Sequence, residues 1–125
     1  MKSNIGDQQR IYHIREAIVH IQNFTAGIDY ENYVANFQLR LALVKLLEII
    51  GEASAALSEN LVQEFSEVEW RTLKAVRNIL VHEYFGISYD IIWDSIQRDI
   101  PALKNKIDKI IVTKFPEDPA SALSQ

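Results

Sequence analysis

Ile11, Ile14, Ile18 and Ile21 recur at intervals of three and four residues, which puts them on one face of an α-helix and on no single face of a strand. Breakers are scarce as well. Four glycines and three prolines in 125 residues leave long stretches uninterrupted. A sheet needs frequent turn chemistry, so the chain is expected to be all-α. Its length suits one ordinary domain with a single core.

The isoleucine helix is expected over about 7–24, stopped at Gly27, with Asp29 as the next N-cap. A short segment to Asn36 precedes a long helix over about 37–57. Apolar positions such as Leu39, Leu43, Leu47, Ile50 and Ala53 nearly encircle it, which predicts burial on most sides. Gln38, Lys45, Glu48, Glu52 and Glu59 form its one polar stripe. Gly51, inside this helix, costs about 1 kcal/mol relative to alanine. It is read as close helix packing or, alternatively, as room for a group beside Glu52.

Residues 58–66 read as a connection with one helical turn over 61–65. Ser66 and Glu69 have capping-box spacing and would open a third helix running to His82, with Leu73, Val76 and Leu80 inward. Gly86 is placed as a C-cap. Ser88 would cap a helix over about 89–97, with Tyr89, Ile92, Trp93 and Ile96 inward. Asp99 and Pro101 then read as the start of a last helix ending near 113. A single domain is expected over 1–115, and a flexible tail over 116–125.

Cysteine is absent, which excludes disulfides, cysteine zinc sites and thiol nucleophiles. The polar opening MKSNIGDQQR does not read as a signal peptide, so none is expected. The most apolar region, 39–50, is broken by Arg40, Lys45 and Glu48 and is too short to span a bilayer. The protein is expected to be cytoplasmic, with no membrane contact. Its formal net charge is −4, so bulk charge does not hold nucleic acid. Any such role needs a local basic patch or a partner that supplies the charge.

His13, Glu16 and His20 share the face opposite the isoleucines, at a spacing that resembles a metal site. The tight i, i+4 histidine pair of helical zinc sites is missing. The three are read as a solvated polar face, and neither metal nor cofactor is expected.

Chemistry concentrates in RNILVHEY, Arg77 to Tyr84. On a wheel of about 100° per residue, Arg77 falls at the edge of the apolar stripe of Leu73 and Leu80. Arg71, Lys74, Asn78 and His82 occupy a separate arc, a small basic strip on an acidic chain. An arginine at a packing position needs a partner, because an unpaired buried charge costs several kcal/mol. Glu52, Glu48 and a phosphate are the candidates. Arg77 and His82 lie about 140° apart around the helix, so one straight copy does not aim both at one atom. A bend near the helix end, or a second copy facing the first across a two-fold axis, would bring them together.

These residue types suit metal-independent cleavage of RNA, which carries its own nucleophile in the 2′-hydroxyl. Histidine can take that proton or protonate the leaving oxygen. Arginine can brace the phosphate and its growing charge. Tyrosine can hydrogen-bond the phosphate or stack on a base. Asn78 can orient the imidazole or touch the RNA backbone. Cations near a helix C-terminus also simply suit the macrodipole.

RNILVHEY fits R-x-x-x-x-H-x-Y and resembles the signature of HepT-like toxins in the HEPN superfamily. EIIGEA (48–53), EW (69–70), YFGIS (84–88) and IIWDSIQRDIPAL (91–103) are similar to that family's pattern too, so the resemblance spans about 7–113. It implies an antiparallel four- to five-helix bundle, HEPN-like and dimeric, with the motif helices facing a shared cleft. It implies a metal-independent ribonuclease toxin of a type VII toxin–antitoxin pair, cleaving tRNA or mRNA. Its partner would be an MNT-type nucleotidyltransferase antitoxin that transfers AMP to Tyr84. Arg77 and His82 are then the catalytic pair, with Arg71, Lys74, Asn78 and Tyr84 toward RNA and Glu52 in support. Many relatives carry a small residue where this chain has Glu83, which is expected to face solvent or recruit the partner. The alternative is a non-catalytic module that docks a nucleotide or the nucleotidyltransferase, and such a module needs neither Arg77 nor His82.

Overall fold

The computed structural model describes residues 2–82 and 88–116, with backbone only for 2–5. Every element among them is an α-helix: α1 (Lys2–Thr25), α2 (Tyr30–Ala35), α3 (Phe37–Ala55), α4 (Glu59–Glu64), α5 (Trp70–His82) and α6 (Tyr89–Lys114). Four long helices make the bundle, and α2 and α4 are short connecting helices. α3 is central, packed against α1 on one side and α5 on the other, while α6 packs on α1. The expected all-α bundle is what forms. None of its helices is long and apolar enough to cross a membrane among the described residues.

The isoleucine stripe of α1 is the spine of the core. Ile11, Ile14, Ile18 and Ile21 are all fully buried. They meet Leu43, Leu47 and Ile50 of α3 and Ile96, Ile100, Leu103, Ile107 and Ile110 of α6 in one cluster. Gly27 adopts φ 74°, the left-handed conformation that glycine takes without penalty. Asp29 then caps α2, its side chain accepting from the Asn32 amide at 2.9 Å. Both punctuation marks fall where the sequence places them.

Several boundaries differ from expectation, each for a local reason. α1 begins five residues early, at Lys2. Asp7 is no cap but a buried acceptor inside the helix, bonded to the Ser58 amide (2.9 Å) and hydroxyl (2.5 Å). Ser58, held this way, caps α4. The connection therefore contains a helix that starts earlier than the single turn expected, and Glu59 sits on α4 rather than ending the α3 stripe. The capping box of Ser66 and Glu69 does not form, since α5 starts at Trp70. Phe65, Val68 and Trp70 are buried there, and the Trp70 indole donates to the Phe65 carbonyl at 3.0 Å, fixing a tight turn where another helical turn was expected.

Ser88 does cap α6, but no break follows at Asp99 and Pro101. Ile96, Ile100, Leu103 and Ile107 continue in phase through the proline. Pro101 itself is exposed, on the side where the carbonyl it frees meets water. Val76 and Tyr89, expected inward, are 37% and 45% exposed. Gly86 and the tail over 117–125 lie outside the described residues.

Candidate active site

α5 is positioned by a notch in α3. A Cβ built on Gly51 would stand 2.3 Å from the Arg77 Cβ and 2.9 Å from the Leu73 carbonyl oxygen. Only glycine lets the two helices approach this closely. The two readings of Gly51 thus coincide: it is a packing contact, and the group given room is the stem of Arg77.

That contact holds Arg77 half-buried at the seam of α3 and α5. Its Nη1 donates to the Asn78 Oδ1 at 2.9 Å. Its Nε is buried and has no hydrogen-bond partner among the described residues. The structure does not join Arg77 to either expected carboxylate. Glu48 stands 3.8 Å from Lys45, and Glu52 is exposed, lining a shallow groove with Arg10, His13 and Lys45 between α1 and α3. A buried N–H without an acceptor is a cost to stability, and a guanidinium held by its stem at this seam is of the type that braces a phosphate with its outer nitrogens.

The rest of the strip lies as the wheel predicts. Arg71, Lys74, Asn78 and His82 are all exposed on α5, within about 80° of arc. The bond from Arg77 to Asn78 carries the guanidinium from the packed stripe toward this arc. His82 is the last described residue of α5, in the turn where a cation meets the negative end of the helix. Tyr84 and Glu83 lie outside the described residues. On α1, His13, Glu16 and His20 are exposed, and His20 stacks on Phe24 with centroids 5.9 Å apart. No group of three His, Asp or Glu side chains among the described residues could hold a metal ion.

Flanking the polar arc are three apolar side chains, Ile79 and Val76 beyond one edge and Val81 beside the other, between 37% and 51% exposed. A basic strip and apolar side chains on both its flanks remain on the surface of α5.

A model of the family described as "Ribonuclease HepT-like" matches residues 14–110. The chain belongs to the HepT-like ribonuclease family. It is 37% identical over 98 residues to "Putative RNase MJ1380" of Methanocaldococcus jannaschii, covering 78% of this chain and 90% of the relative. It is 36% identical over 97 residues to "Probable ribonuclease HepT" of Thermococcus cleftensis, covering 78% and 88%. It is 36% identical over 99 residues to "Putative RNase TTE0752" of Caldanaerobacter subterraneus, covering 79% and 88%. No solved structure matches. The matched region contains α5 whole and the notch at Gly51, so this HepT-like ribonuclease carries its arginine and histidine inside the part it shares with the family.

One group the sequence reading passed over lies at the other end of α3. Tyr33 and Trp93 stack with centroids 4.7 Å apart, and the Tyr33 hydroxyl donates to the Tyr89 carbonyl at 3.0 Å. Burial pushes the Tyr33 phenol up to about 12, which keeps it the donor. Arg40 lies over the Tyr89 ring at 4.3 Å and near the Phe37 ring at 5.6 Å. These residues come from α2, α3 and α6, so no local spacing announces them.

Proposed function

We propose that this HepT-like ribonuclease is the toxin of a type VII toxin–antitoxin pair and cuts cellular RNA without a metal ion. The observation that carries this reading is Arg77, held by its stem at the α3–α5 seam with one guanidinium nitrogen on Asn78 at the exposed basic arc, five residues from an exposed His82.

In the proposed reaction Arg77 binds a non-bridging oxygen of the scissile phosphate. The 2′-oxygen attacks phosphorus, its proton passes to a histidine, and the P–O5′ bond breaks as the leaving 5′-oxygen takes a proton. The products are a 2′,3′-cyclic phosphate and a 5′-hydroxyl, and no external reactant is consumed. Arg77 stabilises the charge gathered on the phosphoryl oxygens in the transition state. Lys74 and Arg71, on the exposed arc, attract the backbone against the net negative charge of the chain.

The functional unit is read as a homodimer. Exposed Ile79 and Val76 on one flank and Val81 on the other border the basic arc of α5, and a two-fold contact across that helix sets two copies of Arg77 and His82 beside one cleft. One imidazole can then act as base and the other as acid. The partner that silences it is read as an MNT-type nucleotidyltransferase transferring AMP to Tyr84. Each added phosphodiester places negative charge where RNA must bind.

Pure protein should cut single-stranded RNA in EDTA. His82→Ala should lower the rate by about 10²–10⁴-fold, and Arg77→Ala by a comparable factor, with the dimer retained by sedimentation. If both variants cut as fast as the parent, the catalytic assignment is wrong. Tight binding of the partner without any cleavage would leave a docking module. Intact mass after mixing with the nucleotidyltransferase and ATP should rise by whole AMP increments, and Tyr84→Phe should abolish the increase.

A further inference from the structure

Phe37, the first residue of α3, is 62% exposed. An aromatic ring this open is uncommon on an isolated bundle, and its setting is specific. The Arg40 guanidinium stands 5.6 Å from its centroid. Arg40 is itself fixed, donating to the Val34 carbonyl and stacked on Tyr89. Away from Arg40, the ring borders an open hollow of about 510 Å³, lined also by Ile28, Asn32, Ala35, Asn36 and Gln38. No lining side chain is charged. Asn36 uses its Oδ1 to cap α3 at the Leu39 amide, 2.9 Å away, which leaves its NH₂ donors outward. Among the described residues the Asn32 and Gln38 side-chain amides are not bonded. A ring backed by a cation and rimmed by neutral amides has the chemistry that holds a nucleobase: a stacking face, and donors and acceptors for its edge. The hollow beside Tyr30 differs, since Asp90 and Asp94 line it and would repel the phosphates of a strand.

The hollow also lies at the motif's end of the molecule. α3 and α5 meet at Gly51 and Arg77. Tyr89, which opens α6 only seven residues after His82, stands on Arg40. The C-terminal end of α5 therefore points to the N-terminal end of α3, and the two helices run antiparallel. Phe37 precedes Gly51 by about 21 Å of helix rise, and His82 lies about 7.5 Å from Arg77 in the same direction, leaving about 14 Å between them along the axis. A short length of extended single strand covers that span.

We propose that Phe37, backed by Arg40 and rimmed by Asn32, Asn36 and Gln38, is a stacking subsite for an unpaired nucleobase of an RNA strand, flanking the bond on which Arg77 and His82 act. The proposal rests on the ribonuclease reading, so its test must separate the two.

The probe is a 2′-O-methyl single strand of mixed sequence, which cannot be cut, carrying one 5-iodouridine. Phe37→Ala and Phe37→Leu should each weaken its binding by about tenfold or more, and Phe37→Trp should keep it. Irradiation should crosslink the strand to residue 37 or its neighbours. With a cleavable strand, Phe37→Leu should raise KM and leave kcat within about twofold. Free AMP and UMP should bind at least about tenfold more weakly than the strand, lacking its other phosphates. The proposal is overturned if Phe37→Leu binds the strand as tightly as the parent, or if the mononucleotides bind equally well. Binding that depends on Phe37 without cleavage removes the catalytic reading and keeps the subsite. Cleavage indifferent to Phe37 does the reverse.

Discussion

The two faces of this bundle are built to different standards. Where α1 meets α6, buried isoleucines interlock, and the polar rim is closed by Arg15 and Lys104, which bond the two oxygens of Asp108 at 2.8 and 2.7 Å. α5 packs closely on α3 at Gly51, but toward α6 and solvent its surface is left open. A buried Arg77 Nε has no partner among the described residues, three apolar side chains stand exposed, and a cleft of about 300 Å³ separates Val76 and Thr72 of α5 from Ser95, Asp99 and Leu103 of α6. The first face buries apolar area and satisfies its polar atoms, which is what stability requires. The second leaves both tasks undone on the helix that carries Arg77 and His82.

The sharpest division should appear in core truncations. Ile14→Ala and Ile107→Ala should each cost about 2–5 kcal/mol in urea unfolding, whereas Ile79→Ala on α5 should change monomer stability by less than about 0.5 kcal/mol. An equal cost at Ile79 would mean that α5 is packed as tightly as α1, and the comparison would fail. Next in size is Gly51→Ala. It gains about 1 kcal/mol of helix propensity but forces α5 away from a contact at 2.3 Å, so a net loss of about 1–3 kcal/mol is expected. Cleavage should fall with it, because the same displacement moves Arg77.

Much of this division could be read from the chain, and what could not is instructive. The buried stripe of α1, the Gly27 stop and the caps at Asp29 and Ser88 follow from local period and local hydrogen bonding, and the structure has them. α5 starts later than the Ser66–Glu69 signal predicts, because buried Phe65, Val68 and Trp70 hold a turn that local propensity does not override. Pro101 predicts a break, yet an in-phase row of buried aliphatic side chains carries α6 through it. For the site, the wheel placed Arg77 at the edge of the packed stripe and Asn78 and His82 on the exposed arc. It did not show that Asn78, rather than a carboxylate, would take one guanidinium nitrogen and leave another unsatisfied. That depends on how far α5 sinks against Gly51, a tertiary distance. The ring system of Phe37, Tyr89 and Trp93 gathers residues from distant segments, so no sequence window contains it.

A smaller effect of opposite sign tests the cost of the open face. Arg77→Met keeps the stem that packs on Gly51 and removes the unsatisfied Nε. It should raise stability by about 1 kcal/mol in urea unfolding while abolishing cleavage. Gain of stability with loss of activity is the mark of a residue kept for function. If Arg77→Met were destabilised as much as a core variant, Arg77 would instead be holding the seam together.

The closed face should respond most weakly, and through pH. Partial burial pushes the Asp108 carboxyl up, but hydrogen bonds from Lys104 and Arg15 outweigh it and hold it below the usual carboxylate range. A carboxylate whose pKa is lower in the folded state contributes stability above its unfolded value, near 4 by ordinary reference. The contribution is lost as pH falls through the folded value. Asp108 is 35% exposed, so solvent screens the pair. Asp108→Asn should therefore cost no more than about 1 kcal/mol at pH 7. Measured by urea unfolding, the gap between parent and variant should close as the pH drops below about 4 and shrink at pH 7 in about 1 M salt. A gap unchanged at low pH would mean that Asp108 acts by shape and not by charge. The α1–α6 face would then owe its stability to the isoleucines alone, which sets it further apart from the charged, unfinished face of α5.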